Sequence, residues 1–159
     1  MNVQNIHRRK IRKPISNVLE LFNTLSSKSD MIWPVENWPP MRFRNGLEIG
    51  SNGGHGPIRY EIIDYNPETH IEFKFLKPNG FNGTHKFEIF DLNFETTEIK
   101  HSITMTTSGL GTLKWLFAIR WLHDALVEDA FDKVENQLMQ SNLKTKWNLW
   151  VKILRSILK

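Results

Sequence analysis

No cysteine occurs among the 159 residues, which excludes a disulfide framework, a thiolate nucleophile and any cysteine metal site. No apolar run approaches the roughly 20 residues that span a bilayer, and none follows the charged HRRKIRK segment as a secretory leader requires. The expected setting is therefore the cytoplasm. Also missing are the Gly-Lys-Ser/Thr ending of a phosphate loop, the GxSxG elbow of a hydrolase, and the HxH or HExxH pairs of a local metal site. GSNGGHG reads as a link between two strands, with His55 at a pocket rim or in solvent. No metal or cofactor is expected.

Acids are absent from residues 141–159, where Lys144, Lys146, Lys152, Arg155 and Lys159 lie, so the net charge of +4 comes from the tail. The first 140 residues hold 16 bases against 17 acids. A body this close to neutral, with no groove-entering or base-stacking motif, argues against nucleic acid as a partner.

What is present divides into blocks. Residues 3–11 form a weak, polar strand. After Pro14, the apolar positions Ile15, Val18, Leu19, Phe22 and Leu25 recur at helical spacing, with proline in a first turn that tolerates it. DMIWPVENWPPM carries too much proline for a long helix or interior strand. From Met41 to Ser108, alternation and turn residues predict an antiparallel meander, with strands near 41–49, 57–65, 69–76, 83–92 and 98–107. Ile58, Tyr60 and Ile62 share a face, as do Ile71, Phe73 and Phe75, then Phe87 and Ile89, then Ile103 and Met105. Lys and Glu dominate the opposite face.

A long helix is expected from about Thr112, carrying Trp115, Leu116, Ile119, Leu122, His123, Leu126, Val127, Ala130, Val134 and Leu138 as an apolar stripe. Asp124, Glu128, Asp132 and Glu135 run down another side; their four-residue step predicts a solvated face rather than a paired-carboxylate site. Asp129 fits neither side clearly. This order gives an α+β fold of about six strands, a curved antiparallel sheet covered by one long helix.

IRKPISNVLELF, SNGGHGPIRY, GFNGTHKFEI and WLHDALVEDAFD resemble segments of the START-like/SRPBCC superfamily, the helix-grip proteins that include birch pollen allergen relatives and polyketide cyclase/dehydrase-like proteins. The resemblance covers roughly residues 3–140, within an expected ligand-binding domain of residues 1–140, and leaves 141–159 as an added basic amphipathic helix. It implies a cavity between sheet and helix for an apolar small molecule or lipid. Tyr60, Phe73, Phe75, Phe87 and either Trp115 or Trp121, with Ile119, are the expected apolar lining. His85, His101 and His123 are its polar candidates, and His123 is the single candidate for acid-base work. Alternatives to simple binding are a cyclase, dehydrase or isomerase using a pocket histidine, and a protein-interaction module.

In the tail, Leu143, Trp147, Trp150, Val151, Leu154, Ile157 and Leu158 gather opposite Lys144, Lys152, Arg155 and Lys159. That pattern suits peripheral contact with an anionic membrane, through Trp147, Trp150, Lys152 and Arg155. It equally suits packing on its own domain or self-association with a second copy.

Overall fold

The computed structural model describes residues 1–158. One antiparallel sheet has seven strands: β1 (Asn2–Ile11), β2 (Arg42–Phe43), β3 (Asn52–His55), β4 (Ile58–Asn66), β5 (His70–Lys77), β6 (Phe81–Asn93) and β7 (Thr96–Thr107). The spatial order is β1-β7-β6-β5-β4-β3-β2. Consecutive strands from β2 to β7 are neighbours, and β1 returns to pair with β7 along its whole length, from Asn2 opposite Thr106 to Ile11 opposite Thr97. Alternation places Tyr60, Ile62, Ile71, Phe73, Phe87, Ile89 and Ile103 on the covered face, all buried. On the other face Lys100 bonds to Glu88 at 2.6 Å.

Two expectations about the meander need correction. The strand near 41–49 is only two residues long, because positive φ angles of 70° at Gly46 and 86° at Gly50 turn the chain away. The glycine-rich stretch expected to be a plain connection forms β3 itself, which raises the strand count to seven.

Helix α1 (Ile15–Phe22) buries Val18, Leu21 and Phe22. The proline-rich loop after it is held by Asp30, whose carboxylate accepts from the backbone N–H groups of Ser26, Ile32 and Trp33. The long helix begins at Leu110, two residues before the expected start. It runs as α2 (Leu110–Lys114), one π-helical turn (Trp115–Ile119) and α3 (Arg120–Met139). Gly111 allows its first turn to lie on Gly80, since a Cβ there would stand 2.9 Å from the Gly80 backbone. A final helix, α4 (Leu149–Ile157), folds back so that Val151 and Leu154 are buried. Asn148 caps it by accepting from the Val151 N–H at 2.9 Å. No helix among the described residues is long and apolar enough to cross a membrane.

Candidate functional site

A pocket of about 220 Å³ lies between the sheet and the long helix. Phe75, Phe81, His85, Phe87, His101 and Ile103 line it from the strands, and Trp115, Ile119, Leu122, His123, Leu126 and Val127 from the helix. The π-helical turn presents Trp115 and Ile119 to this space. Trp33 and Trp38 close one side from the proline-rich loop, and Arg155 and Leu158 reach it from the tail. Exposed lining residues Pro39, Gly56, Pro57 and Leu158 mark its mouth. A larger, shallow groove of about 650 Å³ crosses β2 and β3 and carries Arg42, Arg44, Arg59 and Lys77. It is open surface at the sheet edge; the smaller space between sheet and helix is the enclosed one and holds the clustered imidazoles.

Seven of the nine residues expected to line a cavity do face this one: Phe75, His85, Phe87, His101, Trp115, Ile119 and His123. Tyr60 and Phe73 lie behind it, fully buried and packed on each other with ring centroids 5.0 Å apart. Phe43 stacks on Phe73 at 5.6 Å. Trp121 points outside; its indole N–H donates to the Leu116 carbonyl at 3.0 Å. Trp33, Trp38, Arg155 and Leu158 line the pocket without being among the expected lining residues. Two tryptophans within a proline-rich loop were the available signal, because large aromatic rings outside regular structure still seek burial.

Four imidazoles line the pocket. His85 Nδ1 and His101 Nε2 are 3.4 Å apart, and the His101 and His123 rings stand 4.9 Å apart. His55, half-buried rather than at a wet rim, places Nδ1 3.0 Å from the Tyr60 hydroxyl. Burial holds all four toward the neutral form, and repulsion from neighbouring imidazoles adds to it, for His123 that of His7. The effect lowers His55 to about 3 and His85 and His101 well below the usual histidine range. For His123, burial lowers the pKa against an opposing hydrogen bond to Asp124. Three buried nitrogens in this group, His85 Nε2, His101 Nδ1 and His123 Nε2, have no partner among the described residues.

Behind His123 lies a charged seam that corrects the expected solvated face of α3. The inward positions of β1 between Val3 and Ile11 are polar, Asn5, His7 and Arg9, and they meet the acids of the helix. His7 places Nδ1 2.7 Å from Glu128 and Nε2 3.1 Å from Asp124. Both ring nitrogens face carboxylates, so only the imidazolium donates to both. Burial opposes that charge, but the two hydrogen bonds outweigh it and raise His7 to about 9. Arg9 spans Glu128 at 2.9 Å, Asp132 at 3.1 Å and Glu135 at 2.7 Å. Asp132 is buried. His7, His123 and Asp124 bring ligand-type atoms within 4.8 Å of one another, but a His7 held protonated by two carboxylates suits an internal ion pair better than a metal ligand.

The tail seals the pocket on its outer side. Asp129 accepts from the indole N–H groups of Trp38 at 2.8 Å and Trp147 at 3.1 Å, and the two indoles pack 5.4 Å apart. The Arg155 guanidinium lies 4.7 Å from the Trp38 ring centroid and donates to the Asn37 carbonyl. Of the four tail residues expected to meet a membrane or partner, Trp147 and Arg155 thus turn inward. Trp150 and Lys152 stay exposed.

No protein-family model and no curated protein matches the sequence. Solved structures do. Norcoclaurine synthase from Thalictrum flavum, in truncated form, aligns with a TM-score of 0.62 at 9% identity, over 89% of this chain and 97% of that one. CalU16 from Micromonospora echinospora aligns at 0.61 and 10% identity, over 99% and 84%. A Thermobifida fusca protein aligns at 0.66 and 9%, over 91% and 99%. The chain has the helix-grip fold that these structures share, an antiparallel sheet packed on one long helix. At these identities the likeness is one of fold, and a helix-grip pocket is a place for a ligand without specifying which.

Proposed function

We propose that this helix-grip protein binds a small, mainly apolar molecule that carries one carbonyl or hydroxyl group. The observation that carries the reading is the set of three imidazole nitrogens without partners among the described residues, on residues lining a mainly apolar pocket. A buried polar atom without a partner costs about 1–3 kcal/mol, and a ligand oxygen placed among them offsets that cost. Neutral imidazoles can each donate and accept, which fits an uncharged polar group better than a carboxylate. The volume narrows the size. About 150 Å³ accepts benzene and drug-sized ligands occupy about 300 Å³ or more, so 220 Å³ fits one or two rings. A two-chain lipid would require the tail to move aside. A cytoplasmic setting suits this reading.

The test compares matched pairs such as tetralone and tetralin. The ketone is expected to raise the melting temperature and bind more tightly than the hydrocarbon. Equal binding of both, or of neither, would overturn the assignment of the imidazoles to a ligand oxygen.

A second reading, proton-transfer catalysis of the cyclase, dehydrase or isomerase type, draws support from the 3.5 Å contact between His123 Nδ1 and Asp124. That contact orients the ring and leaves Nε2 without a partner among the described residues, available as a base to a ligand that reaches it. Deuterium exchange at the carbon beside the tetralone carbonyl, faster with the protein than with its His123→Leu variant, is the expected signature; equal rates reject it.

A further inference from the structure

The long helix and α4 present apolar side chains outward as well as inward. Leu113, Phe117 and Trp121 step along the outer side of α2, the π-helical turn and the start of α3, with Phe117 62% exposed. Trp150, Ile153 and Ile157 step along the outer side of α4, with Ile157 70% exposed. The two sides meet where the Trp150 indole donates to the Phe117 carbonyl at 2.9 Å. Scattered surface hydrophobes need no explanation, but a joined set of this size on two helices does.

Its charge is one-sided. Residues 110–123 and 141–159, which supply this surface, contain seven of the 21 basic residues and none of the 17 acids. The rest of the chain is left with 14 bases and 17 acids, a net negative body. Lys114, Arg120, Lys146 and Lys152 are exposed within these two segments. Exposed tryptophan and aliphatic side chains flanked by cations, with Asp124 at the edge 3.9 Å from Arg120 as the nearest acid along the helix, match the interfacial zone of an anionic bilayer.

We propose that this composite surface docks the protein on an anionic lipid bilayer. Leu158, at the end of the docking helix, is also part of the pocket mouth, so docking brings the mouth to the lipid. The surface is wider than the tail alone: the start of the long helix contributes half of it, and Trp147 and Arg155 are excluded because they hold the tail to the domain.

Full-length protein is mixed with vesicles of phosphatidylcholine alone and of phosphatidylcholine with phosphatidylserine, then sedimented. Binding to the mixed vesicles, a blue shift of tryptophan emission and release by high salt are expected. Phe117→Glu with Ile153→Glu should weaken vesicle binding by at least about tenfold. Both side chains are exposed, so the thermal unfolding curve should hold. Lys114→Glu with Lys152→Glu keeps the apolar surface and should remove the preference for phosphatidylserine. Failure to bind the mixed vesicles, or wild-type binding by the Phe117/Ile153 variant, overturns the proposal. So does a dimer in buffer that this variant breaks while vesicles are ignored, which assigns the surface to a second copy. Tetralone binding by the same variant reports on the pocket separately.

Discussion

His7 Nε2 stands 3.1 Å from the Asp124 carboxylate, joining the first strand to the long helix across 117 positions of sequence. The match continues along both elements for a geometric reason. Two residues of strand advance about 6.6 Å and four residues of helix about 6.0 Å. Asn5, His7 and Arg9 therefore keep step with Asp124, Glu128 and Asp132. The seam thus packs β1 against the long helix directly behind His123, whose ring stands 5.9 Å from that of His7.

Replacing Arg9 with Met tests how much the seam holds. The change leaves Glu128, Asp132 and Glu135 without their shared cation. An exposed pair is worth about 0–1 kcal/mol and a broken buried pair costs about 3–5 kcal/mol. With Asp132 buried and the other two half-buried, a loss of about 2–3 kcal/mol in denaturant unfolding is expected. A loss below about 0.5 kcal/mol would show that solvent screens the whole network.

Stability should peak near pH 6.5 and fall on both sides. His7 is raised from 6.5 to about 9, so its contribution is full below 6.5 and is lost as pH rises toward 9. The pocket histidines are lowered, His55 to about 3, so their contribution is full above 6.5 and is lost as pH falls through their folded values. Asp124 and Glu128 are also lowered and add to the acid loss below about pH 4.5. Urea midpoints measured across pH 4–9 should trace this dome. His7→Gln should flatten the alkaline arm and, because His7 helps to lower Glu128 and Asp124, also soften the acid loss below about pH 4.5; an alkaline arm unchanged in that variant would detach it from His7.

Much of this architecture was legible in the residues. Period-two alternation in IRYEII and HIEFKF located β4 and β5, and period 3.6 located the long helix, because both elements bury one continuous apolar face. The same logic failed at β1, whose inward positions are mostly polar, so hydropathy could not reveal that Asn5, His7 and Arg9 face the helix. It failed again at Asp124, Glu128 and Asp132, where a four-residue acid step looks the same whether it faces water or a basic strand. The π-helical turn was invisible for another reason. It widens one turn within an otherwise regular helix, at Trp115–Ile119, and no composition or spacing marks it. Lining from Trp33, Trp38, Arg155 and Leu158 depends on a loop and a tail meeting over the mouth, which no local pattern encodes.

Asp129 is the point where that meeting is held. Burial raises its pKa while the Trp38 and Trp147 N–H groups oppose the rise, and one carboxylate thus ties loop and tail to α3. Asp129→Leu removes the acceptor and leaves two indole N–H groups without it. The expected result is faster ligand release by about tenfold and a loss of about 1–3 kcal/mol in stability, with a red shift in tryptophan emission as Trp147 becomes wetter. Unchanged release would mean that α4 does not limit access to the pocket.

His123→Leu separates binding from folding. The imidazole carries a buried Nε2 without a partner, while Asp124 keeps its bonds to His7 and Asn5 after the change. Leucine fills similar space without a polar atom, so unfolding should be neutral or up to about 1 kcal/mol more favourable to the native state. Affinity for tetralone should nevertheless fall by about tenfold while affinity for tetralin holds or rises, because only the ketone loses a hydrogen-bond partner. A large loss of stability with ketone affinity intact would identify His123 as part of the framework. The expected opposite pattern, a sturdier protein that has lost its preference for oxygen, is what a residue retained for a ligand predicts.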